Sequence, residues 1–221
     1  VSLHIAASEI GQGSDTVMVQ IAAEELGVPY EQVWLVECDT VLASLDLGAY
    51  SSRLTLMGGN AVRMAAQRVK GQLFDIAARE LGCDAAALVA RGGRIFVKGH
   101  PALGMDWAAA ARQAFSAGGP VVGTGSYQPP KHLGGDFKGG TVGTSPAYSF
   151  STAIAEVTVD LETGYVTVDR FTDFSDAGTV INPVTFHGQV EGSIVMGIGE
   201  ALFEDTIVGA GGRLANPNLH D

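Results

Sequence analysis

The sequence is poor in cysteine, in charge and in aromatic rings. Of its 221 residues only two are cysteine, Cys38 and Cys83. Two thiols cannot build a disulfide framework and fall short of the ligand set of an iron–sulfur cluster. They read as ordinary thiols of a reducing compartment. Positive charge is scarce: 13 Lys and Arg stand against 24 Asp and Glu, a net charge of −11. A nucleic-acid groove needs the opposite sign, so DNA and RNA are excluded as partners. No apolar run approaches the ~20 residues of a membrane span. No basic start followed by an apolar stretch marks a secretory signal. The expectation is therefore cytoplasmic, with no membrane partner. The chain opens Val1-Ser2-Leu3-His4-Ile5 without Met and closes Asn218-Leu219-His220-Asp221 without a tail, which reads as a fragment of a longer polypeptide.

Apolar and small residues are abundant. Hydrophobic residues make up 46% and charged ones 17%, which excludes a disordered chain. A chain of this length buries roughly 70% of its unfolded surface and needs no covalent staple. The 30 glycines follow no collagen period but fall in clusters, the mark of built loops.

The pattern predicts a strand over 1–9, a break at Gly11-Gln12-Gly13, and a helix over Ser14–Leu26 capped by Ser14 or Asp15 and closed by Gly27. A short strand follows over 33–37, then a long mixed loop over 39–53. A long helix over 57–81 closes at Gly82. Strands are expected over 95–98 and 121–127, with an Ala-rich helix between them at 106–115. Residues 129–146 are Gly-rich and read as a linker or excursion. Two strands, 150–160 and 165–171, flank a Leu161-Glu162-Thr163-Gly164 hairpin turn. Asn182-Pro183 opens a last helix to about Phe203, and residues 209–212 turn again. Helices and strands mix without strict alternation, which predicts an α+β fold of mixed sheets with packed helices. The expected division is 1–145 and 146–221.

Three clusters stand out. Gly11, Gln12, Gly13, Ser14 and Asp15 sit between a strand and a helix N-terminus, where backbone N–H groups and the positive end of the macrodipole attract an anion such as pyrophosphate. The turn lacks the spacing of a dinucleotide fingerprint and the Lys of a P-loop. Taken alone, a capped helix after a tight turn accounts for it better. Ser51, Ser52 and Arg53 bring two hydroxyls and a bidentate phosphate-binding group before the long helix; a solvated loop with a Ser cap is the plain alternative. Asn182 precedes Gly188-Gln189, on a helix whose glycines suggest close packing. The histidines, His4, His100, His132, His187 and His220, show no metal-ligand spacing. No nucleophile elbow appears.

The strings EIGQGSDTVMVQIAAEELG, GAYSSRLTLMGGNAV, AIAEVTVDLETGYVTVDRF and DAGTVINPVTFHGQVEGSIVMGIGEAL, in that order, resemble the molybdenum-cofactor-binding large subunit of the xanthine dehydrogenase/aldehyde oxidase family. The tone is that of bacterial members, aromatic hydroxylases and the 4-hydroxybenzoyl-CoA reductase type among them. The resemblance implies a molybdenum cofactor-binding fold and a molybdopterin, in the cytosine dinucleotide form. It further implies [2Fe–2S] clusters and a flavin (FAD) on other domains or subunits, and oxidation of aldehydes, N-heterocycles or aromatic substrates.

Carried over, Gly11, Gln12, Gly13, Ser14 and Asp15 match the family's first cofactor turn. Ser51, Ser52 and Arg53 match its second cofactor loop, and Asn182 and Gln189 its late Gly-Gln helix. The family's catalytic glutamate belongs to a late glycine-rich motif with a Lys that this sequence does not contain. Glu200 lies in the Gly-Gln helix and takes no catalytic role. No catalytic residue and no metal ligand is assigned, and the fragment alone is expected to be inert. The alternative is a non-catalytic module that packs against partner subunits. Self-association is expected through the helix over 188–202, where Ile194, Val195, Met196 and Ile198 meet few charges.

Overall fold

The computed structural model describes residues 1–36, 39, 41, 43, 45–129, 136, 137, 140, 141 and 148–218. Cys38 lies outside them, as does most of the Gly-rich stretch 129–146. The chain separates into two compact units, Val1–Tyr148 and Ser149–Asp221.

In the first unit β1 (Ser2–His4) pairs parallel with β2 (Trp34–Val36), Leu3 opposite Leu35. Parallel neighbours need a crossover, and α1 (Ser14–Leu26) supplies it. The strand expected over 1–9 is only three residues long. Beyond it the backbone bonds to side chains instead of a ladder: the Ile10 amide donates to Gln12 Oε1 at 2.7 Å and the Gly11 amide to Glu9 at 2.7 Å. Helix α1 buries Val17, Met18, Val19, Ala22, Ala23 and Leu26, which lie around most of its circumference. It stops at Gly27, whose φ of 70° belongs to the left-handed region. A Cβ there would lie 2.3 Å from the Ala90 carbonyl oxygen, so this end also needs glycine for space.

Helix α2 (Leu54–Leu81) starts earlier than its apolar period suggested. It packs on α1 in the same direction. A Cβ on Gly58 would lie 3.6 Å from Met18 Sδ, and one on Gly59 2.9 Å from Ile21 Cδ1. Further along, Lys70 pairs with Glu25, and Gln67 donates to the same carboxylate at 3.4 Å. Contacts thus climb both helices together, so the two N-termini share one end. Strands β3 (Leu88–Arg91), β4 (Arg94–Val97) and β5 (His100–Asp106) form an antiparallel meander. Gly92 and Gly93, both with positive φ, make the tight turn between β3 and β4. Helix α3 (Trp107–Gly118) follows. Leu73, Ala77, Leu88, Ile95 and Ala110 form a second core cluster beside the one between α1 and the start of α2.

The strand expected over 121–127 is not one. The segment is extended but lies along α2, and its carbonyls accept from helix side chains, Thr124 from Arg68 and Val122 from Gln72 at 2.9 Å. A Cβ on Gly125 would lie 1.9 Å from the Ala61 carbonyl oxygen, and one on Gly123 2.3 Å from that of Ala65. Glycine at alternate positions lets backbone touch backbone. Strands β6 (Asp136–Phe137) and β7 (Gly140–Thr141) make a short antiparallel pair.

In the second unit β8 (Phe150–Val159) and β9 (Val166–Asp176) form a long antiparallel hairpin with a bulge at Glu156/Val157. Asp160 Oδ1 accepts from the amides of Glu162 at 2.8 Å and Thr163 at 3.2 Å, which closes the turn before Gly164 (φ 75°). Helix α4 (Pro183–Leu202) is capped by Asn182, whose Oδ1 accepts from Val184 at 3.0 Å and Thr185 at 3.2 Å. Ile194, Ile198 and Ala201 of α4 and Ala153, Ala155 and Val168 of the hairpin line a trough of about 480 Å³. The architecture is α+β, with helices packed among small sheets; each described sheet is of one kind, β1–β2 parallel and the others antiparallel, so the mixing expected within a sheet occurs only between sheets.

Candidate functional site

The turn before α1 is built around a carboxylate. Gly13, at φ 83°, is the N-cap residue, in place of the expected Ser14 or Asp15, and has no side chain to cap with. Glu9 reaches back and does it instead. Its Oε1 accepts from Gly11 at 2.7 Å and Gly13 at 3.0 Å; its Oε2 accepts from Asp15 at 3.0 Å and from the Ser14 hydroxyl at 3.2 Å. The desolvation of Glu9 at this exposed position raises its pKa, but the amides of Asp15, Gly13 and Gly11 and the Ser14 hydroxyl outweigh that and hold it down at about 2 from the ordinary 4.5. Gln12 is fixed by the same turn. Its Oε1 takes the Ile10 amide and its Nε2 donates to Ser14 Oγ at 3.0 Å, which leaves its second N–H to donate elsewhere.

The N-terminus of α2 differs. Among the described residues no side chain caps it, and Arg53 stands at the cap position in helical geometry. Before it Ser51 and Ser52 hold φ of 56° and 49°. Left-handed backbone costs non-glycine residues about 1 kcal/mol or more each, and two in succession mark a loop held in shape by its surroundings. The Arg53 guanidinium stacks 5.2 Å from the centre of the Tyr50 ring. Its Nη1 is buried and finds no hydrogen-bond partner among the described residues.

Arg53 borders a cavity of about 1140 Å³ in the first unit. It is the one lysine or arginine among the described lining residues, which otherwise come mostly from β1, α1, α2 and the 121–127 segment. Trp107 also lines this cavity, and its Nε1 too is buried without a hydrogen-bond partner among the described residues. Because α1 and α2 are parallel, the Gly11–Ser14 turn and Ser51–Arg53 lie at the same end of the pair, where both macrodipoles are positive. One end is satisfied by Glu9; the other offers an unpaired guanidinium N–H and uncapped first-turn amides. Asn182 and Gln189 belong to the second unit, where Asn182 caps α4 and Gln189 is exposed on it. Close packing was expected of Gly192, Gly197 and Gly199; among the described residues a Cβ on Gly192 or Gly197 would meet open space, whereas one on Gly199 would lie 2.6 Å from Glu204 Oε1. Neither Glu9 nor Trp107 was picked out in the sequence. An acid two residues ahead of a glycine-rich helix start was the available signal for Glu9.

An unpartnered guanidinium N–H thus borders a large cavity at the head of a parallel helix pair, and Asp39 and Asp46 also line that cavity. The chain belongs to the molybdopterin cofactor-binding domain family, whose model matches residues 1–221. It is 34% identical over 226 residues to the xanthine dehydrogenase molybdenum-binding subunit of Escherichia coli O157:H7, covering 100% of this chain and 28% of that protein. It is 32% identical over 222 residues to the 6-hydroxypseudooxynicotine dehydrogenase complex subunit gamma of Paenarthrobacter nicotinovorans, covering 100% of this chain and 27% of the subunit. Its fold matches quinoline 2-oxidoreductase from Pseudomonas putida 86 with a TM-score of 0.84 at 28% identity, over 100% of this chain and 27% of that one. The chain thus spans about a quarter of the length of the relatives it matches.

Proposed function

We propose that this chain forms part of the cofactor seat of a molybdenum hydroxylase of the xanthine dehydrogenase family, acting on aldehydes, N-heterocycles or aromatic compounds. The observation that carries the reading is the buried, unpartnered Arg53 Nη1 beside the first unit's cavity. A buried guanidinium N–H without an acceptor is costly, and an anionic ligand relieves it. The residues fit a molybdopterin in its cytosine dinucleotide form, whose pyrophosphate supplies that anion.

Arg53 and the first-turn amides of α2 hold the charge, and Ser51 and Ser52 add hydroxyl donors beside it. Gln12 donates its remaining amide hydrogen from the neighbouring turn, with Gly11, Gly13, Ser14 and Asp15 shaping the approach. For Asn182 and Gln189, in the second unit, a cofactor-binding role is proposed as well. When bound, the group supplies a two-electron oxidation centre; this chain orients it and shields it from water. We assign this chain neither a catalytic residue nor a metal ligand. Electron exit through [2Fe–2S] and flavin partners, and a cytoplasmic setting, complete the reading. Two relatives are named as subunits, which supports partner chains.

The experiment is cofactor retention in the holoenzyme that carries this sequence. Arg53→Ala and Gln12→Ala are each expected to weaken it by ~1–3 kcal/mol, roughly five- to 150-fold, with the far-ultraviolet dichroism unchanged. Molybdenum by elemental analysis and pterin by fluorescence after oxidation provide the readout. Wild-type content in both variants sinks the reading.

A further inference from the structure

Three features of the turn before α1 fit together. Three backbone N–H groups and the Ser14 hydroxyl converge on one carboxylate of the chain itself, at 2.7 to 3.2 Å. The N-cap position is a left-handed glycine with nothing of its own to offer those donors. Gln12 takes its orientation from the Ile10 amide and the Ser14 hydroxyl, and Ser14 is itself bonded to Glu9. The anion-attracting end of α1 is therefore already filled, whereas that of α2, with Arg53, is not filled by any described residue.

We propose that Glu9 is the positioning residue of this turn: a built-in anion that locks Gly11–Asp15 and thereby aims Gln12, and that leaves the α2 end to receive the cofactor's own anion. The proposal rests on the cofactor reading above. Its mechanism is indirect. Glu9 does not touch the ligand; it acts through Ser14 and Gln12. Without it, three amides and a hydroxyl lose their shared acceptor, the loop samples other shapes, and Gln12 loses its fixed direction. The emptied nest also becomes a second anion site at the head of α1.

Chemical rescue in the holoenzyme that carries this sequence tests this. Glu9→Ala is expected to lower molybdenum and pterin retention about tenfold while the thermal melt stays a single cooperative transition. Added acetate, which restores a carboxylate to the nest, is expected to recover retention; acetamide, equal in size but uncharged, is not. Arg53→Ala is expected to lose the cofactor with or without acetate. Full retention by Glu9→Ala while Arg53→Ala loses the cofactor overturns the role of Glu9 and leaves the cofactor reading intact. Loss that acetate does not repair also overturns it, since the residue is then only a fold element. Full retention in both variants overturns the cofactor reading as well. If Glu9→Ala does not fold, Glu9→Gln, which keeps the shape and only one acceptor oxygen, takes its place; wild-type retention in it again overturns the proposal.

Discussion

At the scale of single residues, Glu9 sets the acid sensitivity of the first unit. Its carboxyl titrates near 2 when folded against 4.5 ordinarily. A depressed carboxyl stabilises the fold fully above the unfolded value, and that contribution fades as pH falls from 4.5 toward 2. Glu9 is solvent-exposed, so screening discounts the effect to about 1 kcal/mol. Glu9→Gln is expected to be less stable than wild type at pH 7 by that amount and to converge with it near pH 2; denaturant melts across this range measure it, and parallel curves would contradict it. Site residues were unequally legible in the sequence. Gly11-Gln12-Gly13 announced a turn because glycine's backbone freedom is written in its identity. The role of Glu9 was not legible: a carboxylate's partners depend on which N–H groups the fold brings to it. Arg53 was visible as a phosphate-type side chain, but its unpaired Nη1 follows from burial.

At the scale of elements, long amphipathic helices read well and short strands did not. Helix α1 begins and ends where the pattern put it, at Ser14 and Leu26 before Gly27, because glycines bracket a long run of helix-compatible residues. β3 and β5 were missed: four and seven residues with few alternating apolar positions carry little periodic signal. Residues 121–127 alternate like a strand, yet their partners are the side chains of Arg68 and Gln72. This contact predicts that Gly125→Ala destabilises the chain by about 2 kcal/mol, since its new methyl must displace the α2 backbone at Ala61; a methyl accommodated at no cost in a urea melt would disprove the close approach. Asn182→Ala is expected to cost about 1 kcal/mol by uncapping α4, whereas Asn182→Asp or Asn182→Ser restores most of it. The check is the denaturation midpoint of the three variants.

On the scale of the whole molecule, the two units differ in how they cover apolar surface. The first holds two buried clusters. The second leaves Phe150, Phe174, Val195 and Met196 exposed, and no residue of α4 is fully buried. With a net charge of −11, repulsion between copies is what opposes association at neutral pH. The 221-residue chain on its own is therefore expected to self-associate as salt screens that charge, or as pH approaches the isoelectric point of about 4.7. Light scattering at low and high salt reads this out, and a monomer under every condition would show that the exposed face does not bind itself. The parallel packing of α1 and α2 has a thermal consequence. Side-by-side dipoles pointing the same way repel, and Glu9 offsets only one of the two positive ends. An anion held at the other adds stability by mass action, about 2.7 kcal/mol at a hundredfold excess over its dissociation constant. Loading with cofactor then acts as heat protection for the first unit: its melting temperature rises with ligand concentration.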